Sequence, residues 1–305
     1  MNTDPFAPTR PHYNVDIWAE TKKTRRRRTV QQAFEVGCFI ILVILASVVV
    51  IGVAYLLFPG RTNVLVLGID RAPEGTDASR SDTIILTTYH PIKPYLGLLS
   101  IPRDLWVPIP GVGENRINTA HFFAENAQPG SGPQAALETV RENFGVTVNY
   151  YLRIRFNGLV ELIDSLGGLD IELDHSMAGF PAGNHHLNGE QALGFVRDRS
   201  GTDDFFRMNQ GQFFLKELVE QMLSPTSLAR LPGVLTALSR SIDTNLPIWQ
   251  WPRLGLTLLR IGPDGIDNQT ISREMVTPFT TSDGAQVLLP VWAEIKQVVQ
   301  EMFGG

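Results

Sequence analysis

The chain has 305 residues, of which 43% are hydrophobic and 19% are charged, and its formal net charge is −5. Residues 1–33 hold seven Lys/Arg against three acidic residues, a net +4, so the remainder carries −9. An acidic body disfavours nucleic acid as a ligand, because phosphate backbones are bound by clustered cations, and a single cysteine, Cys38, excludes an intramolecular disulfide or a CxxC site.

An uncharged stretch of 23 residues covers positions 36–58. A helix of this length spans about 34 Å, enough for a hydrocarbon core of about 30 Å. A core helix seldom lacks a polar face over this length, and the apolar region of a cleaved signal peptide is shorter and closer to the N-terminus. We therefore predict one uncleaved transmembrane helix over residues 34–58.

The basic run KKTRRRR at residues 22–28 directly precedes this span. The positive-inside rule then predicts a cytoplasmic N-terminus and an extracytoplasmic domain over residues 61–305, so the chain is expected to be a single-pass protein of the cell membrane. The same run suits contact with anionic membrane lipids. Residues 1–33, with Pro5, Pro8 and Pro11, are predicted to be a disordered cytoplasmic tail.

The remaining chain alternates between strand-like and helix-like patterns. Predicted strands cover residues 63–69, 82–89, 95–101, 146–155 and 169–173, and several are apolar on both faces. Predicted helices cover residues 133–144, 156–166 and 204–223, and Asn188 with Gln191 forms a capping box that opens a short helix to residue 196. Weaker strand signals follow near 261–276, and a helix is predicted over 286–302. The fold class expected is α/β, a three-layer α-β-α sandwich with a mixed central sheet.

Charged residues collect at the predicted ends of strands. The first strand ends at Asp70, and the second begins at Asp82 after a turn-rich loop. If these strands are neighbours, the two carboxylates face each other at one rim of the sheet, where α/β folds place ligands. A divalent cation that prefers oxygen ligands, such as Mg²⁺, would relieve their repulsion.

Arginines follow the same rim in the predicted order of elements. They are Arg80, Arg103, Arg197, Arg199 and Arg207. Converging near a carboxylate pair, they would suit a di- or polyphosphate, because a guanidinium binds phosphate oxygens with two parallel hydrogen bonds. Taken one at a time, each has ordinary surface ion pairing as its simpler interpretation. No HExxH, GxSxG or GxxxxGK[ST] motif offers a competing site.

Seven segments carry a resemblance to a known family. LVLGID, RSDTIIL, LLSIPRDLWVPIPG, RINTAHF, YYLRIRFNGLVELIDSLGGLDIEL, LNGEQALGFVRDRS and DDFFRMNQGQ resemble, in order and spacing, the LytR-CpsA-Psr family over residues 63–223. Its members are membrane-anchored transferases of bacterial envelopes, which move a glycopolymer from a polyprenyl-pyrophosphate carrier to a wall acceptor such as peptidoglycan. The resemblance implies the same activity and partners here, with no nucleic acid among them.

The resemblance also implies roles for individual residues. Asp70 and Asp82 would hold Mg²⁺ or Mn²⁺, and Asp70, Asp82 and Arg103 would be catalytic. The pyrophosphate would be bound by Arg80, Arg103, Arg197, Arg199 and Arg207, and the prenyl tail would lie in an apolar pocket inside the sandwich. The general base is left open among Asp70, Asp82 and Asp104.

One motif departs from the family's pattern. Members commonly continue R-x-x-R-Q-Q, whereas this chain has Gln210 and Gly211 after Arg207. The polar contacts of that helix are therefore in doubt. Two alternatives use the same arginines: a non-catalytic regulator that binds lipid pyrophosphate, and a pyrophosphatase in which water replaces the acceptor hydroxyl.

Overall fold

The computed structural model of the chain describes residues 15–57, 60–70, 78–198 and 204–304. It divides into two compact units, Met1–Leu56 and Leu57–Gly305. Almost all of helix α1 (Val15–Leu57) belongs to the first unit. The second unit contains the strands and the other helices.

Helix α1 contains the apolar segment that the sequence singles out. An 18-residue window within its stretch Gln32–Tyr55 has a mean hydropathy of 3.1 and no buried residue, so this helix is long and apolar enough to cross a membrane. The helix begins at Val15, inside the tail predicted to be disordered. The physical reason is composition: no Pro or Gly occurs between Pro11 and Gly37, and Lys, Arg, Glu, Gln and Ala favour helix. Residues 1–14 of that tail lie outside the described part.

The second unit is built from short strands and helices. The strands are β1 (Thr62–Ile69), β2 (Ser81–His90), β3 (Tyr95–Ser100), β4 (Trp106–Ile109), β5 (Gly113–Arg116), β6 (Tyr150–Arg155), β7 (Leu169–Leu173), β8 (Gly183–Leu187), β9 (Ile242–Thr244), β10 (Ile266–Thr270), β11 (Val276–Thr280) and β12 (Gln286–Pro290). The helices are α2 (Thr119–Ala127), α3 (Gly132–Phe144), α4 (Phe156–Leu166), α5 (Gly189–Arg197), α6 (Asp204–Leu223), α7 (Pro225–Ala229), α8 (Leu231–Ser241), α9 (Trp251–Ile261) and α10 (Trp292–Phe303).

A six-stranded sheet forms the centre, in the order β10-β3-β2-β1-β6-β9. β1 pairs in parallel with β6 and β3 with β10, whereas the other neighbours are antiparallel. The sheet is therefore mixed, as predicted.

Alternate residues of each central strand enter different cores. Leu65, Leu67 and their neighbours on β2 and β3 pack in one cluster with residues of α3 and α10. Val64 and Ile85 belong to a second cluster on the opposite face, against which Leu215 of α6 and residues of α9 pack. Helices thus cover both faces of the sheet, because its strands are apolar on both sides. The predicted three-layer α-β-α sandwich is confirmed.

A third cluster positions α5, the helix that ends in Arg197. It joins α4, α5, α6 and the β7–β8 hairpin through buried side chains such as Ile163, Phe195 and Phe214. α5 begins at the predicted capping box, in which Asn188 accepts the Gln191 N–H and the Gln191 side chain accepts the Asn188 N–H. Gly167 ends α4 with a φ of 91°, the left-handed conformation that glycine adopts without strain.

The C-terminal region differs most from the sequence prediction. The pattern predicts one helix over 286–302, but β12 takes Gln286–Pro290 and α10 starts at Trp292. Pro290 has no N–H to donate inside a helix, and β12 gains its partner, β11, only through tertiary pairing. The strand predicted over 146–155 begins only at Tyr150.

Candidate active site

The end of β1 and the start of β2 lie at the same rim of the sheet. The strands are antiparallel neighbours with Ile69 opposite Ser81, and the register shifts between Gly68 and Ile69. Asp70 follows β1 directly, and Asp82 is the second residue of β2. One cavity opens here, and its lining includes both carboxylates together with Arg103, Arg197 and Arg207.

Asp70 is held by Arg197, the last residue of α5. The Arg197 Nε donates to Oδ2 of Asp70 at 3.2 Å, and Nη2 donates to Oδ1. The Asp70 side chain is only 6% exposed, whereas that of Arg197 is 32% exposed. A location at the rim suggests an exposed aspartate, but the Arg197 side chain covers it. The carboxylate is therefore preorganised, with both oxygens already hydrogen-bonded.

Asp82 forms the second ion pair of the cavity. Its Oδ1 accepts from Nη1 of Arg103 at 2.8 Å, and both side chains are partly exposed. Asp104 lies behind this pair, with Oδ2 at 3.7 Å from the Arg103 Nε and Oδ1 at 3.1 Å from the Arg116 Nε. Asp104 itself does not line the cavity.

Three of the five predicted arginines thus line the cavity. Arg207 enters from the first turn of α6, near the positive end of the helix dipole. Arg80 is exposed just before β2 and is not among the lining residues. Arg199 lies outside the described residues.

The ligand set for a cation consists of two carboxylates. Within the described ranges, no group of three or more His, Cys, Asp or Glu could hold a metal ion. Mg²⁺ is commonly bound by one or two carboxylates together with water and substrate phosphates, rather than by an all-protein cage. Asp70 and Asp82 on one cavity wall fit that kind of site.

The family of the chain follows from comparison with known proteins. A sequence model of the LytR_cpsA_psr family matches residues 56–303. The chain belongs to this family. The resemblance carried by the sequence motifs is therefore confirmed, and the match extends through α10, well beyond the motif-dense region.

Curated relatives include members of two kinds. The chain is 32% identical over 196 residues to the regulatory protein MsrR of Staphylococcus aureus, covering 62% of this chain and 57% of MsrR. It is 32% identical over 191 residues to the polyisoprenyl-teichoic acid–peptidoglycan teichoic acid transferase TagU of Bacillus mycoides, covering 60% of each chain. The chain thus spans less than two thirds of the length of these relatives.

Solved structures show the same fold. The crystal structure of B. subtilis TagV superposes with a TM-score of 0.66 at 24% identity, covering 80% of this chain and 97% of TagV. TagT bound to LI-WTA gives a TM-score of 0.63 at 22% identity, covering 81% and 92% of the two chains. At this identity the likeness establishes the LytR-CpsA-Psr fold.

α6 of this LytR-CpsA-Psr protein makes polar contacts at the positions around its departure from the family's motif. The buried Gln210 amide donates to the carbonyl of Phe195 on α5. Gln212 donates to the Ser100 Oγ at 2.9 Å and to the Gln269 carbonyl at 2.6 Å. These amides fasten α6 to α5 and to the sheet, while Gly211 between them lines the cavity.

A buried charge cluster next to the site was not predicted. Arg153 of β6, with a side chain 4% exposed, pairs with Glu125 at 3.1 Å and with Asp243 at 2.6 Å. His121 lies 3.3 Å from Arg153, and its Nδ1 lies 2.9 Å from the Ser79 carbonyl. The Ser79 Oγ in turn donates to the Asp70 carbonyl at 2.6 Å. Through Ser79, the cluster is linked by hydrogen bonds to the backbone of Asp70. Its members are far apart in sequence, so no sequence motif contains them.

An apolar face adjoins the charged cavity. Ile85 lines the cavity and also belongs to the second core cluster. Partly buried Val66, Leu215 and Val219 pack against that cluster between the sheet and α6. The charged site therefore opens beside hydrophobic surface inside the sandwich.

Proposed function

We propose that this protein is a Mg²⁺-dependent phosphotransferase, which moves a glycopolymer from a polyprenyl-pyrophosphate carrier to a cell-wall acceptor such as peptidoglycan. The observation that carries the proposal is the single cavity that joins Arg103, Arg197 and Arg207 to two aspartates. The teichoic acid transferase named among its 32% identical relatives supports the same class of reaction.

The arginines would bind the pyrophosphate. A guanidinium has five N–H donors, and Arg197 uses two of them on Asp70. Phosphate oxygens are strong acceptors for such groups, and the N-terminal end of α6 adds a favourable field. Arg80 and Arg199 are proposed to bind the same pyrophosphate. The prenyl tail would lie along the apolar face of Val66, Leu215 and Val219.

Asp70 and Asp82 would hold the Mg²⁺, or Mn²⁺, which has a similar preference for oxygen ligands. When bound, the ion neutralises phosphate oxygens and acts as a Lewis acid. The pairing of each aspartate with an arginine orients both carboxylates before the substrate arrives. Arg103 and Arg197 then lie in the cavity, where the phosphate oxygens of the substrate can compete with the aspartates for their N–H donors.

The chemical step proposed is attack by an acceptor hydroxyl on the sugar-side phosphorus. A new P–O bond joins the polymer to the acceptor, the bridging P–O bond breaks, and lipid monophosphate leaves. Asp82 would take the hydroxyl proton, because it is partly exposed in the cavity, whereas both oxygens of Asp70 are bound to Arg197. Arg103, Arg197 and Arg207 neutralise the charge that grows on the leaving phosphate.

The proposed topology places this chemistry outside the cell. The segment Gln32–Tyr55 would span the membrane once, with the basic run at residues 22–28 holding the N-terminus in the cytoplasm. Protease added to spheroplasts should then digest epitopes after Arg61. Protection of that domain until lysis would contradict this orientation.

Two alternatives would leave the substrate in different states. The name of the relative MsrR favours a regulator, which would bind lipid pyrophosphate without turnover. A pyrophosphatase would release polymer phosphate and lipid monophosphate without an acceptor.

One assay separates these functions. Full-length protein in liposomes is incubated with lipid-linked polymer, with and without peptidoglycan and Mg²⁺. Polymer joined to peptidoglycan supports the transferase, hydrolysis without acceptor indicates the pyrophosphatase, and unchanged substrate that remains bound indicates the regulator. Asp82→Asn should abolish transfer, while Asp174→Asn, at an exposed site away from the cavity, should not. Mg²⁺ binding measured by calorimetry with bound lipid pyrophosphate should weaken in Asp82→Asn, independently of turnover.

A further inference from the structure

Large apolar side chains are exposed at the end of the sheet opposite the candidate active site. Ile248 and Trp249 are 80% and 58% exposed in a short turn before α9, and Ile92 is 37% exposed in the turn between β2 and β3. Exposed apolar patches commonly mark interaction sites. We therefore expect this apolar surface to contact another molecule or a membrane.

Hydrogen bonds bring the two turns to the same edge. The Gln250 Oε1, next to Trp249, accepts from the Tyr89 hydroxyl at 3.0 Å. Tyr89 precedes His90, whose Nδ1 accepts from the Ile92 N–H at 3.2 Å. From the other end of α9, Arg260 donates to the Pro91 carbonyl. These hydrogen bonds hold the β2–β3 turn beside the Ile248–Trp249 turn.

Gly60, shortly after the apolar helix in sequence, is bound at the same edge. Fully buried Arg253 of α9 donates to the Gly60 carbonyl at 3.1 Å and to the Gln250 Oε1 at 3.0 Å. Gly60 is five residues beyond Tyr55, the end of the apolar span. Five extended residues reach at most about 18 Å. A bilayer that contained the span would therefore lie near this edge.

The chemistry of the edge matches a membrane interface. Tryptophan is enriched at the level of lipid head groups, and Lys or Arg beside it attracts anionic lipids. Lys93 and Arg260 are exposed here. Asp264 pairs with Lys216 at 2.7 Å, and Asp267, which accepts from the Tyr95 hydroxyl at 2.7 Å, is offset by Arg61, which lies 5.8 Å from the centre of the Tyr95 ring. The edge is thus apolar and cationic although the body of the protein is acidic.

We propose that Ile92, Lys93, Ile248 and Trp249 form a membrane-contact edge that inserts into the interfacial layer of the bilayer. Such insertion reaches about 5–10 Å into the head-group region. β1 runs for eight residues from this edge to Asp70, which is about 26 Å. The candidate active site consequently lies at the end away from the lipid. This inference rests on the proposed membrane anchor and is independent of the proposed chemistry.

The test uses full-length protein whose only cysteine, Cys38, is replaced by Ala. Ile248→Cys carries an environment-sensitive fluorophore, and the protein is reconstituted in phosphatidylcholine–phosphatidylglycerol vesicles that contain a nitroxide-labelled lipid. The matched control is Phe123→Cys, because Phe123 is also an exposed apolar residue. It lies on α2, which follows Asn118, whose carbonyl accepts the Ser81 N–H at the cavity end of the sheet.

The label at position 248 should shift to the blue and be quenched by the nitroxide lipid, while the label at 123 should do neither. A label at 93 should lose its quenching when Ile248 and Trp249 are both replaced by Ser. An unquenched label at 248, quenching at 123 instead, or a shielded but unquenched 248, which indicates contact with protein, would each overturn the proposal.

Alkaline carbonate extraction of the Cys38→Ala parent tests the anchor separately. Release of the parent would overturn the anchor itself, whereas retention with an unquenched 248 would overturn only the membrane-contact edge.

Discussion

Arg197 donates from both Nε and Nη2 to the two carboxylate oxygens of Asp70, which joins the end of α5 to the end of β1 across 127 positions of sequence. The pair is asymmetric, because Asp70 is buried and Arg197 reaches the cavity. Removing one partner therefore has a different consequence from removing the other.

Arg197→Ala should destabilise the protein more than Asp70→Asn. Loss of Arg197 leaves a carboxylate buried without its charged donor, which costs about 1.5–3 kcal/mol for a charged hydrogen bond. Loss of the Asp70 charge leaves a guanidinium that reaches solvent. Thermal unfolding of both variants, with exposed Arg240→Ala as the control, measures the difference. Equal and small shifts for the two variants would contradict the asymmetry.

Arg103→Ala should spare stability and weaken ligand binding. The Arg103–Asp82 pair is partly exposed, and exposed ion pairs contribute at most about 1 kcal/mol to stability. A charged hydrogen bond to pyrophosphate contributes roughly 1.5–3 kcal/mol, so affinity for lipid pyrophosphate should fall about ten- to a hundredfold. Arg103→Lys should recover only part, since the ammonium lacks the guanidinium fork. Affinity unchanged in both variants would argue against a pyrophosphate at Arg103.

Gly211→Ala should raise stability. A Cβ built on Gly211 meets no atom within 4 Å, and glycine inside a helix costs about 0.5–1 kcal/mol relative to alanine. Gly211→Leu should instead narrow the cavity that Gly211 lines and lower affinity for lipid pyrophosphate. Unfolding temperature and affinity, measured on the same preparations, separate the two effects. A destabilised Gly211→Ala variant would mean that the space beside Gly211 is not open.

His90 should make stability depend on pH. Burial lowers the pKa of His90 below its usual 6.5, and Arg61, Lys93 and Arg253 lower it further. The unfolded chain therefore takes up a proton first as the pH falls, so stability is lost below about pH 6.5. His90→Asn, which keeps an acceptor for the Ile92 N–H, should flatten unfolding temperatures between about pH 7.5 and 5.5. His175→Asn, at an exposed histidine, should leave the pH slope unchanged.

Arg153→Met should be the most destabilising single change among the arginines considered. Arg153 and Glu125 are each 4% exposed, and removing one partner of a buried ion pair costs about 3–5 kcal/mol. Arg153→Met with Glu125→Gln should recover part of this loss, because the buried carboxylate is then removed and only the partly exposed Asp243 remains opposite the methionine. Chemical denaturation of the single and double variants provides the measurement. No recovery in the double variant would show that Asp243 or packing dominates.

Local chemistry alone determined much of this protein. Apolar runs, several of them apolar on both faces, predicted β1, β2 and β3, the Asn188–Gln191 capping box predicted α5, and uncharged length predicted the apolar segment of α1. These features depend on neighbours in sequence, where side-chain spacing and backbone propensity act directly.

Tertiary structure decided what those elements meet. The antiparallel pairing of β1 and β2 put Asp70 and Asp82 in the lining of one cavity. From the sequence, this proximity followed only if the two strands were neighbours in the sheet. Burial of Asp70 under Arg197, the strand character of Gln286–Pro290 and the Arg153 cluster all depend on contacts between segments far apart in the chain. A residue's own neighbours do not encode such contacts, because burial and charge pairing arise only when distant segments pack together.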